Sequence, residues 1–518
     1  MSPEIIAMLA PEIVLVATAV VIYMAGVFFP ARNAWAWLAI GGVIAAAAVM
    51  ALGSPAASTS GPLEMDGLAR YVRWLALGMG ALLVFLAARQ SALPGGAEYL
   101  GSLLLVIAGM MLVASARELI LMFVGLELVS IPTYILLYLG RRDPASQEAT
   151  VKYFFLSVLA SAIFLYGLSF LYGATGSTDL RTIHERLSVV GAEPGGLPAL
   201  VKVALVMIFA GLGFRIAAVP FHFYAPDVYQ GTTHENASLL SVVPKIAGMM
   251  ALVRIVALGL APVESYPWRI ALILAVLTMT LGNVMALAQS NLRRLLAYSS
   301  IAHAGYMLIG LAAFMATKPG AAGSWDGLGA LLLYLLVYAL ATIGAFAALT
   351  CLSRGEKPIE AVEELAGLGW TGGWGRPLLA GLLAVFMFSL TGIPPLAGFW
   401  GKLGVFASAL SVGGSDPHLR SWFIGLAVIG VLNAAISAGY YLRIVGVMFF
   451  RLPLTTPRIQ SSATGPFVTT LLCGLLVLVI GLAPKLWMQD AHDASPGHSW
   501  SVAGSVQSDG SLSRLSAK

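Results

Sequence analysis

Charge is scarce in this sequence. Asp, Glu, Lys and Arg make up 10% of its 518 residues, 59% are hydrophobic, and mean hydropathy is +0.88. A soluble domain carries about 25% charge, so a water-exposed globular fold is excluded and the chain is a membrane protein. Cysteine is almost missing too. Cys351 and Cys473 stand alone, with no CxxC or Cys–His spacing, which argues against iron–sulfur clusters and structural zinc. No pair of histidines has metal-ligand spacing. The net charge of +5 and pI near 9.1 come from cations scattered over loops, with no basic run long enough for a nucleic-acid face. The N-terminus, MSPEIIAMLAPEI, is acidic where a cleavable signal is basic, so the first apolar run is expected to stay.

A membrane span takes about 20 mostly apolar residues, and by that measure about fourteen are expected. They fall near 5–29, 34–53, 69–89, 97–116, 118–139, 147–173, 198–230, 236–259, 266–289, 292–316, 326–352, 377–411, 421–450 and 464–488. The connections at 114–118 and 289–292 are short enough to hide one kinked helix instead of two. The stretch 174–197 predicts a short surface helix over DLRTIHERL. Gly367, Gly369 and Gly372 form a GxGxxG, but no strand precedes it and no βαβ unit follows, so a flexible loop is expected. The tail after Gln489 is polar and Ser-rich, and is expected to be disordered. With both termini outside, the inner loops hold Arg32, Arg89, Arg141, Arg142, Arg293, Arg294, Arg354, Lys357, Arg376, Arg451 and Arg458. The outer loops then hold Arg70, Arg73, Arg117, Arg181, Arg186, Arg269, Lys318 and Arg420. This bias places the termini outside.

Two spans carry prolines at hydrocarbon depth: GLGFRIAAVPFHFYAPDVYQG with Pro220, and SLTGIPPLAGFWGK with Pro394 and Pro395. Proline removes a backbone donor and clashes one turn back, so helix breaks are expected near Val219–Pro220 and Pro394–Pro395. Freed backbone groups cannot face lipid, and such breaks mark ion sites in transporters. The broken spans are seventh and twelfth. That odd offset inverts the second copy, so the reading is an all-α membrane protein with two inverted five-helix repeats. The expected divisions are 1–96 (three N-terminal spans), 97–260 and 261–452 (the two units), and 453–518 (last span and tail).

Ionisable groups inside the bilayer cost several kcal/mol unless paired or hydrated, so each needs an explanation. Glu127 shares a helical face with Ser130, Ile131 and Tyr134, and is either a carrier or half of a structural pair with an Arg. Lys245 shares a seam with Ser241 and Gly248, and burial suits a Lys to proton exchange. Lys402 lies two turns after the second break, a plausible ion site. Lys152 and Lys202 sit early in their spans, where snorkelling competes with a pathway role. His303 lies with Ser299, Ser300 and Tyr306, either on a water chain or as a packing His. His222 and His234 border the first break, where they relay protons or cap freed carbonyls.

These residues also carry a resemblance. With GLELVSIPTYILLYLG and LRRLLAYSSIAHAGYMLIG, the two broken segments resemble the antiporter-like membrane subunits of bacterial NADH:quinone oxidoreductase, respiratory complex I, over about 97–450. The wording YAPDVYQG favours chain N over chains L and M and over multisubunit sodium/proton antiporters. The resemblance implies a proton-translocating subunit of the membrane arm in the bacterial inner membrane. NADH, flavin, iron–sulfur clusters and quinone would bind other subunits and no cofactor this one; its partners would be other membrane-arm subunits, lipid and protons. It also implies a charged axis of Glu127, Arg215, Lys245 and Lys402, with Lys152 matching a sixth-span Lys. The chain departs at Arg215, where the family has Lys, and at THENASLL, where the family has a small, Pro-rich segment. A cation/proton antiporter outside complex I, and a membrane scaffold that does not pump, remain as alternatives.

Overall fold

The structure is a computed structural model and describes residues 3–29, 34–53, 58–141, 143–191, 198–260, 266–317, 326–354, 357–370, 373–413, 416–453, 458–459 and 464–495. Arg32, Arg142, Lys318, Gly372 and the tail from 496 lie outside the described residues. The first six helices are α1 (Pro3–Phe28), α2 (Ala34–Leu52), α3 (Gly67–Ala87), α4 (Gly96–Ser115), α5 (Leu119–Gly140) and α6 (Pro144–Thr175). After them come a surface helix α7 (Leu180–Gly191), the broken pair α8 (Ala199–Arg215) and α9 (Ala225–Gly231), and α10 (His234–Leu252). α10 runs on as π-helix through Val253–Gly259. The rest are α11 (Tyr266–Leu287), α12 (Leu292–Ala316), α13 (Gly327–Thr350), α14 (Gly375–Thr391), α15 (Ala397–Ser411), α16 (Pro417–Phe450), α17 (Thr464–Leu482) and α18 (Pro484–Asp493).

Side-chain caps set many of the helix starts. Asp66, Asp143, Thr233, Asn291, Asp326 and Asp416 each accept a hydrogen bond from an amide of the first turn, satisfying donors that the helix leaves free. Among the described residues twelve helices are long and apolar enough to cross a membrane. The two broken pairs, α8 with α9 and α14 with α15, supply the remaining spans of the expected set. The 114–118 and 289–292 connections do separate two helices each.

The two sets of five make corresponding contacts. α4 packs on α5 and α10, as α11 packs on α12 and α16; α6 holds both halves of the first break, as α13 holds both halves of the second. The most apolar stretch of α10 is wholly buried and that of α13 is 94% buried, against 28% for α1. Polar side chains on α10 and α13 therefore meet protein, and the bundle is organised around these two helices.

Several expectations are corrected. The last span ends at Leu482, because Pro484 starts a separate helix, α18, which carries Gln489–Asp493 in helical form. Short strands accompany the helices: β1 (Ser58–Ser60) pairs with β2 (Leu63–Met65), and β3 (Leu352–Arg354) lies between β4 (Lys357–Pro358) and β5 (Arg458–Ile459). The GxGxxG is a turn as far as Trp370, where a Cβ at Gly367 would meet Pro453 and one at Gly369 would meet Phe449. Arg73 and Arg293 are buried and not loop anchors. Arg73 pairs with Glu12 at 2.6 Å, joining α3 to α1, and Arg293 pairs with Glu360 at 2.6 Å.

Candidate proton path

The first break comes early, with the helix ending five residues before Pro220. α8 stops at Arg215, Ala217 adopts a left-handed backbone (φ 56°), and the Val219–Pro220 bond is cis. The polar groups released here are satisfied from outside the helix. Tyr224 donates to the Phe214 carbonyl at 3.0 Å, and the Val219 amide donates to Thr278 Oγ1 of α11 at 3.0 Å. The second break is closed differently. Gly392 turns the chain (φ 91°), the Pro394–Pro395 bond is cis, and the Gly398 amide donates to Ser389 Oγ at 3.1 Å. Gly398 is required for that approach, because a Cβ would collide with the Ser389 carbonyl oxygen.

Arg215 ends its helix pointing into α5 and α6. Its Nη2 pairs with Glu127 Oε1 at 2.7 Å and donates to Ser161 Oγ at 2.9 Å; its Nη1 donates to the Leu126 carbonyl at 3.1 Å and to Ser130. Ser161 completes the ring by donating to Glu127 Oε1 at 2.7 Å. Tyr134, on the same face of α5, donates to Ser157 at 2.8 Å, whereas Ile131 is exposed. Gly248 lets α10 come up to this corner, since a Cβ there would press on Ile216 and on Arg215 Cβ.

Lys245 faces the other way. Its Nζ donates to Ser300 Oγ at 2.6 Å, and Tyr338 donates to the same oxygen at 2.8 Å. One turn further along α12, His303 is held by two phenols, Tyr334 at Nδ1 (2.7 Å) and Tyr441 at Nε2 (3.0 Å), and Tyr441 also bonds Ser299. Lys402 Nζ donates to the Thr391 carbonyl at 2.8 Å and stands 4.9 Å from the centre of the Tyr306 ring. The carbonyl released by the second break is thus capped by the lysine two turns beyond it. A small cavity touches His303, Tyr334, Tyr338, Ser389 and Lys402 together. Among the described residues neither Lys245 nor Lys402 has an acidic ion-pair partner.

The structure brings Glu127 and Arg215 into one cluster, and His303 and Lys402 around one cavity, with Lys245 linked to that cavity through Ser300 and Tyr338. It keeps Lys152 apart. Lys152 is 42% exposed and pairs with Glu148 (2.6 Å) and Asp227 (3.4 Å), and Asp227 also binds Arg294. Lys202 lies over the Tyr266 ring, 5.2 Å from its centre. His234 Nε2 donates to a loop carbonyl, Ile359 O, at 3.0 Å, and not to a carbonyl of the break.

Sequence reasoning passed over several groups. Ser161 binds both Arg215 and Glu127, Tyr338 donates to the Ser300 hydroxyl that holds Lys245, Tyr334 and Tyr441 hold His303, and Asn283 joins Tyr306, Tyr440 and Asn433. Arg254, buried in the π-helix, pairs with Asp66 at 2.6 Å and caps the Ala114 carbonyl at 2.9 Å. An arginine inside the apolar run MMALVRIVALGL was signal enough to flag it. No group of three or more His, Cys, Asp or Glu among the described residues is placed to hold a metal ion.

Comparison with known proteins agrees with this geometry. Residues 116–438 match the family model described as NADH:quinone oxidoreductase/Mrp antiporter, TM. The chain is 36% identical to NADH-quinone oxidoreductase subunit N of Rhodospirillum rubrum over 497 residues, covering 94% of this chain and 96% of the relative. It is 38% identical to subunit N of Desulfovibrio desulfuricans over 515 residues, covering 96% and 90%. A chain of respiratory complex I from Thermus thermophilus superposes with a TM-score of 0.75 at 34% identity, covering 92% of this chain and 98% of that one. A chain of the Mrp complex from Dietzia shares the fold, with a TM-score of 0.78 at 21% identity, covering 95% and 97%. The chain belongs to the antiporter-like membrane subunits of NADH:quinone oxidoreductase, in the family of subunit N.

Proposed function

We propose that the chain is the subunit N component of a bacterial inner-membrane NADH:quinone oxidoreductase. It moves protons through Lys245, His303 and Lys402 while NADH oxidation and quinone reduction proceed on other subunits. The observation that carries this reading is the contrast between its buried cations. Lys245 and Lys402 are held by a hydroxyl and a carbonyl, with no counter-ion among the described residues. Neutral acceptors of this kind leave a desolvated lysine free to exchange its proton. Arg215 never deprotonates, so with Glu127 it acts as a fixed charge pair that tunes Lys245 by opening and closing. His303 connects the two lysines in this reading, because it lines one cavity with Lys402 and Tyr338, and Tyr338 bonds the Ser300 hydroxyl that holds Lys245.

In this reading each five-helix unit carries one break, 97–260 with Pro220 and Lys245, and 261–452 with Pro394–Pro395, His303 and Lys402. Residues 1–96 flank the first unit and 453–518 close the chain. Lys152 marks the exposed edge of the first unit. The test is the proton-to-NADH ratio of the intact complex in inverted membrane vesicles. Lys245→Ala and Lys402→Ala should each lower it while the complex still assembles; unchanged ratios in both would defeat the reading.

A further inference from the structure

Between the Ile359 loop and Lys245, three buried polar atoms stand without a hydrogen-bond partner: His234 Nδ1, Ser238 Oγ and Thr342 Oγ1. All three side chains are at least nine-tenths buried. His234, Ser238, Ser241 and Lys245 recur at four, three and four residues, so they line one face of α10. On α13, Tyr338, Thr342 and Phe346 recur every fourth residue. Two contacts fix how the faces meet. The His234 ring lies against Phe346, centres 6.4 Å apart, and Tyr338 donates to the Ser241 carbonyl at 3.2 Å. The helices therefore run antiparallel here, and the same register sets Ser238 opposite Thr342.

These opposed hydroxyls do not bond each other. A buried polar group left unpaired costs about 1–3 kcal/mol, and a polar gap of this kind is the sort that water fills when it finds 2–4 partners. The tautomer of His234 follows from its other nitrogen. Nε2 meets the Ile359 carbonyl, which only accepts, so Nε2 carries the hydrogen and Nδ1 keeps an unpaired lone pair. At the loop end Ile359 is buried, and the next side chain, Glu360, is 45% exposed, so the loop reaches the surface one residue from the His234 contact.

We propose that His234, Ser238 and Thr342 hold a short file of water that carries protons from the Ile359–Glu360 surface to Lys245 by way of Tyr338 and Ser300. The proposal rests on reading Lys245 as a proton carrier. A proton arriving on the water beside His234 passes to the water between Ser238 and Thr342. Each hydroxyl takes a proton on oxygen and releases its own hydrogen onward. Tyr338 then gives its hydrogen to Ser300, and Ser300 gives its own to the neutral Lys245 amine. Every relay oxygen ends with the hydrogens it began with, and only the amine gains charge. His234 is a positioning residue: its lone pair orients the first water. This route uses the segment THENASLL, where the family resemblance fails.

The test uses the whole complex in inverted membrane vesicles, reading protons moved per NADH oxidised beside the amount of assembled complex. Ser238→Ala with Thr342→Val removes both hydroxyls, and Thr342→Val alone keeps the side-chain shape should the double variant fail to assemble. Both should lower the ratio towards the Lys245→Ala value, and Thr342→Ser should restore it. A parent-like ratio in both variants, with Lys245→Ala impaired, overturns the file but keeps Lys245 as a carrier. A parent-like ratio in Lys245→Ala itself sinks the underlying reading. In a high-resolution structure of the parent complex, ordered water between Ser238 and Thr342 supports the file, and direct contact between them overturns it.

Discussion

The two helix breaks solve one problem in two ways. Each releases backbone groups at a depth where lipid cannot satisfy them. At the first, the chain spends a tyrosine and a threonine on those groups and leaves Arg215 to a carboxylate and two serines. At the second, the cation itself caps the released carbonyl, and no acid is paired with it among the described residues. A guanidinium with a carboxylate is a stable charge pair. An ammonium on a carbonyl gives up a charge-assisted hydrogen bond when it becomes a neutral amine, but it strands no carboxylate, and the amine can still donate to the same oxygen. The first break thus suits a fixed charge and the second a titrating one.

The largest effect should come from removing the fixed charge. Arg215→Ala strands Glu127 in the bundle, and breaking a buried pair costs up to about 3 kcal/mol, at the low end because Glu127 keeps a fifth of its side chain exposed. Pumping and the yield of assembled complex should both fall strongly, while Arg215→Lys keeps the charge and most of the activity. Parent-like pumping by Arg215→Ala would erase the distinction between the breaks. Next in size is Lys402→Met, which preserves much of the buried volume and removes the titrating group. Here the proton-to-NADH ratio should drop with assembly near normal. A loss of assembly instead would make Lys402 a structural cap, equivalent in role to Arg215.

How much of this was legible in the sequence depends on the range of the interaction. The breaks were, because proline acts on its own helix, although α8 ends five residues before Pro220, since nothing local says which outside groups will accept the released backbone. The Arg215–Glu127 pair was also legible, because a guanidinium at that depth demands an acid and few are available. The phenols around His303 were not. Tyr334 and Tyr441 come from α13 and α16, far along the chain, and a tyrosine in a membrane helix reads as ordinary composition. The cap on Thr391 escaped for the same reason: Lys402 was visible, but its acceptor is a backbone carbonyl with no signature of its own. Pro484 was an available signal for the end of α17, overridden by the apolar run around it.

A glycine comparison sharpens the contrast at intermediate size. Gly398→Ala drives a methyl group into the Ser389 carbonyl, backbone that cannot swing aside, and overpacking of this sort costs about 1–3 kcal/mol. It should also push α15 away from α14 and weaken the Lys402 cap, so the proton-to-NADH ratio falls along with thermal stability. Gly213→Ala, in the first break, meets the edge of the Phe221 ring at 3.0 Å, a side chain with room to give. Its melting temperature should stay closer to the parent. Equal losses in the two variants would show that both breaks are packed alike.

The smallest effect is expected at Lys152, and it bounds the comparison from outside. Lys152 matches the family's sixth-span Lys by resemblance, yet it sits with Glu148, Asp227 and Arg294 in a half-exposed cluster. Exposed pairs are worth about 0–1 kcal/mol, because water and salt screen them and ordering a long side chain costs entropy. Asp227 keeps Arg294 when Lys152 is removed, and Glu148, whose side chain is 65% exposed, is left to water. Lys152→Ala should therefore assemble, melt near the parent temperature, and pump at nearly the parent ratio. The paired variant Asp227→Asn removes the acid that both cations share, and should cost more than Lys152→Ala, since Arg294 then loses its carboxylate while Lys152 keeps only Glu148. A Lys152→Ala ratio as low as that of Lys402→Met would mean that exposure does not separate carriers from edge charges here. The pathway would then have to run through the half-exposed side of α6 as well as through the buried face of α10.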